Sequence, residues 1–242
     1  MLQENKDENR LAILAATWEE LEPLVQVLGG IPLKRGWKRT LTTSFKGRDL
    51  VLVETGVGKV NAAVAAVLTI EMWQPSLLLT GIAGAYPSSG LSPLDLALAT
   101  EEIYGDEGSM TEEGWLTPKD MDTAYLVTEK GPFHHRFPLF CPDSLVPSIP
   151  RGPFITLSAI TGKEERAKEL EALFPGALCE NMEGAAVAHV ATFYRIPLME
   201  VRAVSNMAGK RERDKWKVEE ASHILAAFIL DHILPQLGTI TP

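Results

Sequence analysis

The sequence has few cysteines, no excess of basic residues and no long apolar run, and each absence narrows the class of protein. Two cysteines among 242 residues, Cys141 and Cys179, cannot build a disulfide framework. This scarcity indicates a reduced protein and predicts a cytoplasmic location. The net charge of -9 argues against binding to nucleic acid or to an anionic membrane, because phosphate groups attract a basic surface.

The sequence also shows no pattern typical of a targeting segment or a membrane-spanning segment. The first ten residues, MLQENKDENR, are polar and lack the apolar core of a signal peptide. The longest apolar candidate, ILAAFILDHIL, is interrupted by Asp231 and His232 and is shorter than the roughly 20 residues of a membrane span. We therefore expect no membrane partner.

The sequence contains parts of two cofactor-binding motifs, but neither motif is complete. GVGKVN lacks the full spacing of a phosphate-binding loop, and TGIAG lacks the full dinucleotide fingerprint. The pair His134 and His135 has no cysteine or carboxylate at ligand spacing. We predict neither a metal nor an organic cofactor.

Short apolar runs alternate with helical patterns along the chain. Runs such as LAILAAT, LVLVET and SLLLTGIAGAY are apolar throughout, which is typical of strands covered by helices on both faces. The pattern predicts an α/β fold, a three-layer αβα sandwich, in one domain over residues 1–242 with a flexible N-terminus at 1–10. Residues 109–151 are proline-rich and predict long loops over one edge.

Polar residues follow several of these predicted strands, where α/β proteins bind their ligands. Glu19 and Glu20 follow the first strand, although carboxylates in a first helical turn are also common without any ligand. The stretch ENMEGAAVAHVA predicts a buried helix that opens on Glu180 and Glu183. An ionised Glu183 could accept two hydrogen bonds from the vicinal hydroxyls of a ribose, but an ordinary helix-start carboxylate fits its position as well.

Asn206 ends the strand PLMEVRAVS, where asparagine is most often a turn residue. Its amide carries a donor and an acceptor, which would also suit the N7 and O6 edge of a 6-oxopurine. Neither interpretation is excluded by this position alone.

Taken in order, WEE, ETGVGKVNAA, LTGIAGAY, ENMEGAAVAHVA and VRAVSN resemble the nucleoside phosphorylase/nucleosidase superfamily, and the resemblance extends from Leu11 to Leu237. The likeness is to its hydrolase branch around the methylthioadenosine/S-adenosylhomocysteine nucleosidases, which implies a central mixed sheet. Within it, VRAVSNMAGKRERDKW is most similar to the futalosine hydrolases. Those enzymes release hypoxanthine from futalosine in a route to menaquinone.

The resemblance implies a role for each matching residue. Glu183 matches the ribose-binding glutamate, and Glu20, with Glu19 as the alternative, matches the carboxylate that deprotonates the attacking water. Asn206 matches the residue that contacts the base. The remaining matches bind the substrate or support those residues, and they are Met182, Ile82, Ala83, Gly84, Ile160, Thr161, Arg202 and Ser205.

Two departures from the family pattern are informative. Enzymes of the superfamily that act on adenine nucleosides have Asp where this chain has Asn206, so the resemblance favours a 6-oxopurine such as hypoxanthine. The phosphorylases have a glycine loop after the first strand, where this chain reads AATWEE. A carboxylate there repels phosphate but can act as a base toward water, which favours hydrolysis.

The substrate tail and the subunit arrangement are further expectations. Arg211 or Arg213 could bind the benzoate of futalosine, with Trp216 as an apolar wall, although a solvated charge run fits as well. The family implies a homodimer or a larger homo-oligomer in which a neighbour closes the pocket. The alternatives are a methylthioadenosine, S-adenosylhomocysteine or aminodeoxyfutalosine nucleosidase, a purine nucleoside phosphorylase, and an inactive nucleoside-binding protein.

Overall fold

The structure is a computed structural model that describes residues 10–35, 38–141, 149–210 and 212–236. Its strands are β1 (Arg10–Ala15), β2 (Leu33–Arg35), β3 (Lys38–Phe45), β4 (Arg48–Glu54), β5 (Ser76–Ala85), β6 (Leu96–Tyr104), β7 (Ser109–Thr111), β8 (Gly114–Leu116), β9 (Leu126–Thr128), β10 (Gly131–Phe133), β11 (Arg136–Pro138), β12 (Arg151–Thr156), β13 (Cys179–Asn181) and β14 (Leu198–Met207). Its helices are α1 (Trp18–Leu28), α2 (Lys59–Trp73), α3 (Glu164–Leu173), α4 (Gly184–Tyr194) and α5 (Val218–Phe228).

Ten strands form one mixed sheet at the centre of the molecule. The order is β11-β6-β12-β13-β5-β1-β4-β3-β2, and β14 pairs with both β5 and β6. Strands β4, β1, β5 and β14 run parallel, whereas β13 is antiparallel to β5 and β6 is antiparallel to β14. The pairings among β5, β14, β6, β12 and β13 close into a ring, so this half of the sheet curls on itself.

Helices cover both faces of the sheet, which confirms the predicted αβα layers. Along β1, Leu11 and Ile13 point into a core shared with α1 and α5. The alternate residues Ala12 and Leu14 point into a second core shared with α2 and α4. Because successive side chains of a strand point to opposite faces, an apolar strand of this kind is stable only between two helical layers.

The parallel strands bring their carboxyl ends to one edge of the sheet. The residues after β1, the loop between β4 and α2, the end of β5 and the end of β14 therefore meet there. A β-bulge in β14 at Ser205 shifts its register against β5, so that Val204 pairs with Ala83 but Asn206 pairs with Gly84. Bulges re-aim side chains beside functional sites, and this one brings Asn206 onto the face of the sheet that Gly84 shares.

Two predictions of local structure were wrong. Residues 109–151 do not form only long loops, because β7–β8 and β9–β10 are short hairpins and β11 pairs with β6. Glu180 does not begin a helix. It lies in β13 opposite Gly84, and α4 starts four residues later at Gly184.

Of the expected flexible segment 1–10, only Arg10 is among the described residues. Arg211 and residues 237–242 lie outside them. The single-domain organisation stays a prediction. Within the described part of the chain, no helix is both long enough and apolar enough to cross a membrane.

Candidate active site

Glu20 is buried at the start of α1 and is held from two sides. Its Oε2 accepts hydrogen bonds from the backbone N–H and the hydroxyl of Thr17, at 2.8 Å and 3.1 Å. Its Oε1 accepts from the N–H of Ile82, at the end of β5, at 2.9 Å. The side chain thus closes the capping box of α1 and ties that helix to the neighbouring strand.

Burial raises the pKa of Glu20, and the nearby carboxylate of Glu183 adds to this effect. The hydrogen bonds from Ile82 and Thr17 and the charge of Arg202 act in the opposite direction without cancelling it. A carboxyl group with a raised pKa is a stronger base than an ordinary glutamate once it is ionised. Glu19, its neighbour, is exposed, so the structure singles out Glu20 as the buried carboxylate of the pair.

Glu183 precedes α4 directly and is 4% exposed. Its own helix does not hold its carboxylate. Oε1 accepts a 2.9 Å hydrogen bond from the N–H of Gly58, at the start of α2. The N–H group that holds this carboxylate therefore comes from the start of another helix, 125 residues away in the chain.

Arg202 lies beside Glu183 and is 1% exposed. Its Nη1 lies 3.7 Å from Oε2 of Glu183 and donates to the carbonyl of Ile82 at 3.2 Å, while its Nε donates to Glu200 at 2.8 Å. Burial lowers the pKa of Arg202, but Glu200, Glu183 and Glu20 together raise it above the ordinary value. The family resemblance gave Arg202 the role of supporting Asn206, whereas its contacts here are with Glu183, Glu200 and Ile82.

Gly81 leaves the space in which Glu20 and Arg202 approach each other. Its φ of +141° lies in a region that favours glycine. A Cβ at this position would lie 2.6 Å from Oε1 of Glu20 and 3.1 Å from Nη1 of Arg202. This glycine was not among the sequence candidates, although it directly precedes Ile82.

Asn206 lies at the opposite side of the Ile82–Gly84 segment, and Ser205 supports it. The Ser205 hydroxyl donates to Oδ1 of Asn206 at 2.8 Å, and Nδ2 donates to the carbonyl of Met207 at 3.1 Å. Because the carbonyl of Met207 can only accept, it must face Nδ2, and Oδ1 then faces the Ser205 hydroxyl. The second hydrogen on Nδ2 stays available to a ligand.

A cleft of about 500 Å³ opens beside Asn206. Trp216 lines it together with Met207 and Ala208, but Arg213 does not. Arg213 is exposed on a short 3₁₀ turn, and Arg211 lies outside the described residues. The cations that line the cleft are Lys168, Lys210 and Lys215, which the sequence reasoning missed.

Ile160 and Thr161 follow β12 near the same face. Ile160 is 37% exposed, whereas Thr161 is buried and donates its N–H to Oε1 of Glu180 at 2.7 Å. Glu180 also accepts from the Tyr86 hydroxyl at 3.1 Å. The sequence candidates therefore lie in two linked groups, one around Glu20, Glu183 and Arg202 and one around Asn206.

A buried polar network supports the residues that precede α4. Oδ1 of Asn181 accepts from the N–H groups of Glu183 and Gly184, at 2.9 Å and 2.7 Å, and its Nδ2 donates to Glu102 at 2.5 Å. Burial, with the adjacent Glu200 carboxylate, raises the pKa of Glu102 well above its ordinary value. Sequence reasoning missed Asn181 and Glu102, because no local pattern distinguishes them.

Comparison with known proteins agrees with this arrangement. Residues 10–234 match the model of the Phosphorylase superfamily. The chain is 36% identical to a futalosine hydrolase of Thermus thermophilus over 205 residues, which is 82% of this chain and 87% of that protein. It is 27% identical to a 5'-methylthioadenosine/S-adenosylhomocysteine nucleosidase of Halalkalibacterium halodurans, over 95% of this chain and 99% of the relative.

Similarity to solved structures supports the fold. The native structure of futalosine hydrolase of Helicobacter pylori superposes with a TM-score of 0.75, covering 91% of this chain and 95% of that one at 18% identity. The family match spans nearly the whole described chain, and the relatives above are nucleosidases. This chain belongs to the phosphorylase superfamily and is an N-glycosyl hydrolase within it.

Proposed function

We propose that this enzyme hydrolyses the N-glycosidic bond of futalosine and releases hypoxanthine and dehypoxanthine futalosine. The observation that carries the proposal is Glu20, a buried carboxylate with a raised pKa at the place where a phosphorylase would bind its anion. The 36% identity to the Thermus thermophilus futalosine hydrolase supports this substrate. In the cell the reaction would belong to menaquinone biosynthesis and take place in the cytoplasm.

In the proposed reaction, water attacks C1′ of the ribose while Glu20 takes up its proton. The new C–O bond forms as the C1′–N9 bond breaks, and the electron pair of that bond leaves with the purine. Glu183 would hold the ribose hydroxyls, and Arg202 lies 3.7 Å from its Oε2. A carboxylate near C1′ favours the positive charge that develops on the sugar. Met182 packs on the sugar, and Ile82, Ala83 and Gly84 line the sugar and base.

Asn206 would hydrogen-bond the departing hypoxanthine. Its free Nδ2 hydrogen would face O6. The departing base takes a proton from solvent water at N7, and the carbonyl oxygen of Asn206 would accept the hydrogen bond from that N7–H. The Met207 carbonyl, which accepts from Nδ2, keeps the amide in this orientation, and the Ser205 hydroxyl donates to Oδ1. Asparagine in place of Asp thus supports a 6-oxopurine over adenine.

The benzoate end of futalosine would meet a cation of the segment before α5, with Trp216 beside the ring. Replacing Arg211 or Arg213 with Ala should raise KM for futalosine while sparing inosine. Equal effects on both substrates would contradict this part of the proposal.

The enzyme would act as a homodimer or a larger homo-oligomer. Helix α2 exposes Val60, Val64, Leu68 and Met72 at intervals of four residues, which places an apolar stripe on one face of the helix. A second copy of the chain is the partner that we propose for this stripe.

The test is to incubate the purified protein with futalosine, inosine and methylthioadenosine, with and without phosphate, and to separate the released bases by chromatography. We expect hypoxanthine from futalosine at a rate independent of phosphate. Adenine from methylthioadenosine would support the alternative nucleosidase, and a phosphate requirement would support a phosphorylase. Saturable binding without release of any base would indicate an inactive nucleoside-binding protein.

A further inference from the structure

Glu180 is a buried carboxylate for which the proposed reaction has no role. It is 5% exposed in β13, and its two oxygens accept hydrogen bonds from two different donors, the N–H of Thr161 and the hydroxyl of Tyr86. Both groups donate to Glu180, so its side chain acts as a hydrogen-bond acceptor. Burying a carboxyl group costs free energy unless hydrogen bonds or another partner compensate for the lost water. The presence of Glu180 in the interior therefore needs an explanation.

The position of Glu180 relative to Asn206 suggests that partner. Both residues pair with Gly84, from β13 on one side and from β14 on the other, so the three residues face the same side of the sheet. A Cβ at Gly84 would lie 3.2 Å from Nδ2 of Asn206 and 3.4 Å from Cγ of Glu180. The glycine therefore leaves a gap that the two polar side chains border.

Thr161 supplies the second argument. Its backbone N–H, in the segment after β12 that the family resemblance places against the purine, already donates to Oε1 of Glu180 at 2.7 Å. The N–H is thus satisfied within the protein, and what this edge of the site presents instead is a carboxylate oxygen with a lone pair to spare.

The 6-oxopurines and the 6-aminopurines differ in the hydrogen-bonding character of N1, the ring nitrogen next to C6. In a 6-oxopurine N1 carries a hydrogen and is a donor, whereas in a 6-aminopurine N1 is an acceptor. A carboxylate would accept the first and repel the lone pair of the second. A site that hydrogen-bonds one partner discriminates strongly against an analogue that leaves the buried group unpaired.

We propose that Glu180 is a specificity-determining residue that accepts the N1 hydrogen of a 6-oxopurine, while Asn206 binds its O6 and N7. This inference rests on the proposed function for the class of base, and it adds a second residue that selects it. Discrimination against adenine then depends on Glu180 as well as on Asn206.

The experiment compares Glu180→Gln with the wild-type enzyme on inosine and adenosine, and it measures kcat/KM for both. A glutamine can still accept from Thr161, and its amide can donate to N1 of adenine. We expect the preference for the hypoxanthine nucleoside to fall by roughly 10- to 100-fold. The matched control is Glu171→Gln, because Glu171 also accepts a backbone N–H at 2.7 Å, from Ser88, but at an exposed position.

A purely structural role would lower activity on both nucleosides equally and leave the ratio unchanged, and that result would overturn the inference. A second measurement does not depend on turnover or on the variant. Calorimetry should show that wild-type protein binds hypoxanthine at least 10-fold more tightly than 1-deazahypoxanthine, which lacks the N1 hydrogen. Equal affinities would also refute the role of Glu180, whereas failure to hydrolyse any nucleoside with this binding preference intact would refute only the proposed reaction.

Discussion

Glu20 has a structural role and, in the proposed reaction, a chemical one. The hydrogen bonds that complete the capping box of α1 also aim its carboxylate at the end of β5. A base on a helix start is held more firmly than one on a loop, since the cap and the strand both restrain it. Its buried position adds the raised pKa that a base working near neutral pH requires.

The first prediction concerns pH. The reaction needs ionised Glu20, so activity should fall as the pH drops through its pKa. Because burial raises that pKa, the acid limb of kcat/KM should lie above the pH expected for an ordinary glutamate, about 4.3. Glu20→Gln should lower kcat by roughly 10²- to 10⁴-fold. Glu19→Gln is the control, and it should keep both the wild-type kcat and the wild-type acid limb of the pH profile. If only Glu19→Gln loses activity, Glu19 and not Glu20 is the base.

The second prediction tests the space at Gly81. An alanine there would place its Cβ 2.6 Å from Oε1 of Glu20, so the carboxylate must shift. We expect Gly81→Ala to lower kcat by roughly 10²-fold, because small misplacements of a catalytic group are costly. Gly90→Ala is matched to it: Gly90 also has a positive φ, of +76°, but no atom lies within 4 Å of its Cβ position. Similar losses in both variants would point to backbone strain instead.

At the scale of elements, the short strand β13 and the helix α4 that follows it carry much of the site. Glu180 lies on the strand beside Gly84, on the side of the sheet that Asn206 shares, and Glu183 reaches α2 from the residue before the helix. Asn181 lies between them and satisfies the first N–H groups of this turn. The strand-to-helix turn therefore fixes two carboxylates in different directions.

The third prediction is that Asn181→Ala destabilises the protein. It leaves the N–H groups of Glu183 and Gly184 and one oxygen of Glu102 without the partner they have now. We expect the free energy of unfolding in urea to fall by roughly 2–4 kcal/mol. Asn61→Ala, which removes an exposed side-chain hydrogen bond to Val57, should cost at most about 0.5 kcal/mol. Equal costs would mean that the buried network adds little.

At the scale of the whole molecule, the apolar stripe of α2 begins next to Gly58, the residue that binds Glu183. A neighbouring copy packed on the stripe would therefore lie close to Glu183, which the proposed function assigns to the ribose. Assembly and activity should then respond together to changes on this helix.

The fourth prediction tests that surface. Val64→Glu places a charge in the middle of the stripe, where Val64 is 47% exposed, so it should shift the molar mass in light scattering toward the monomer and lower activity. Val27→Glu on α1, where Val27 is 66% exposed, is the control and should keep the wild-type mass. A wild-type protein that is monomeric and fully active would refute the proposed assembly.

Local patterns were sufficient for much of the fold. The apolar strands and their burial on both faces follow from runs of apolar residues within a few positions of the chain. Local patterns failed to predict β13, because three buried residues before a helix are too few to show a periodicity. They failed also in residues 109–151, where strands of three residues are too short to show alternation.

The sequence by itself determined the αβα layers, the resemblance to a superfamily and the residue types at the strand ends, since each depends on neighbours along the chain. Only the tertiary structure decided which of these residues meet. The contact between Gly58 and Glu183 spans 125 residues, and that between Glu20 and Ile82 spans 62. The burial that raises the pKa of Glu20, and the donors that surround Glu180, come from elements distant in sequence, so no local pattern could have revealed them.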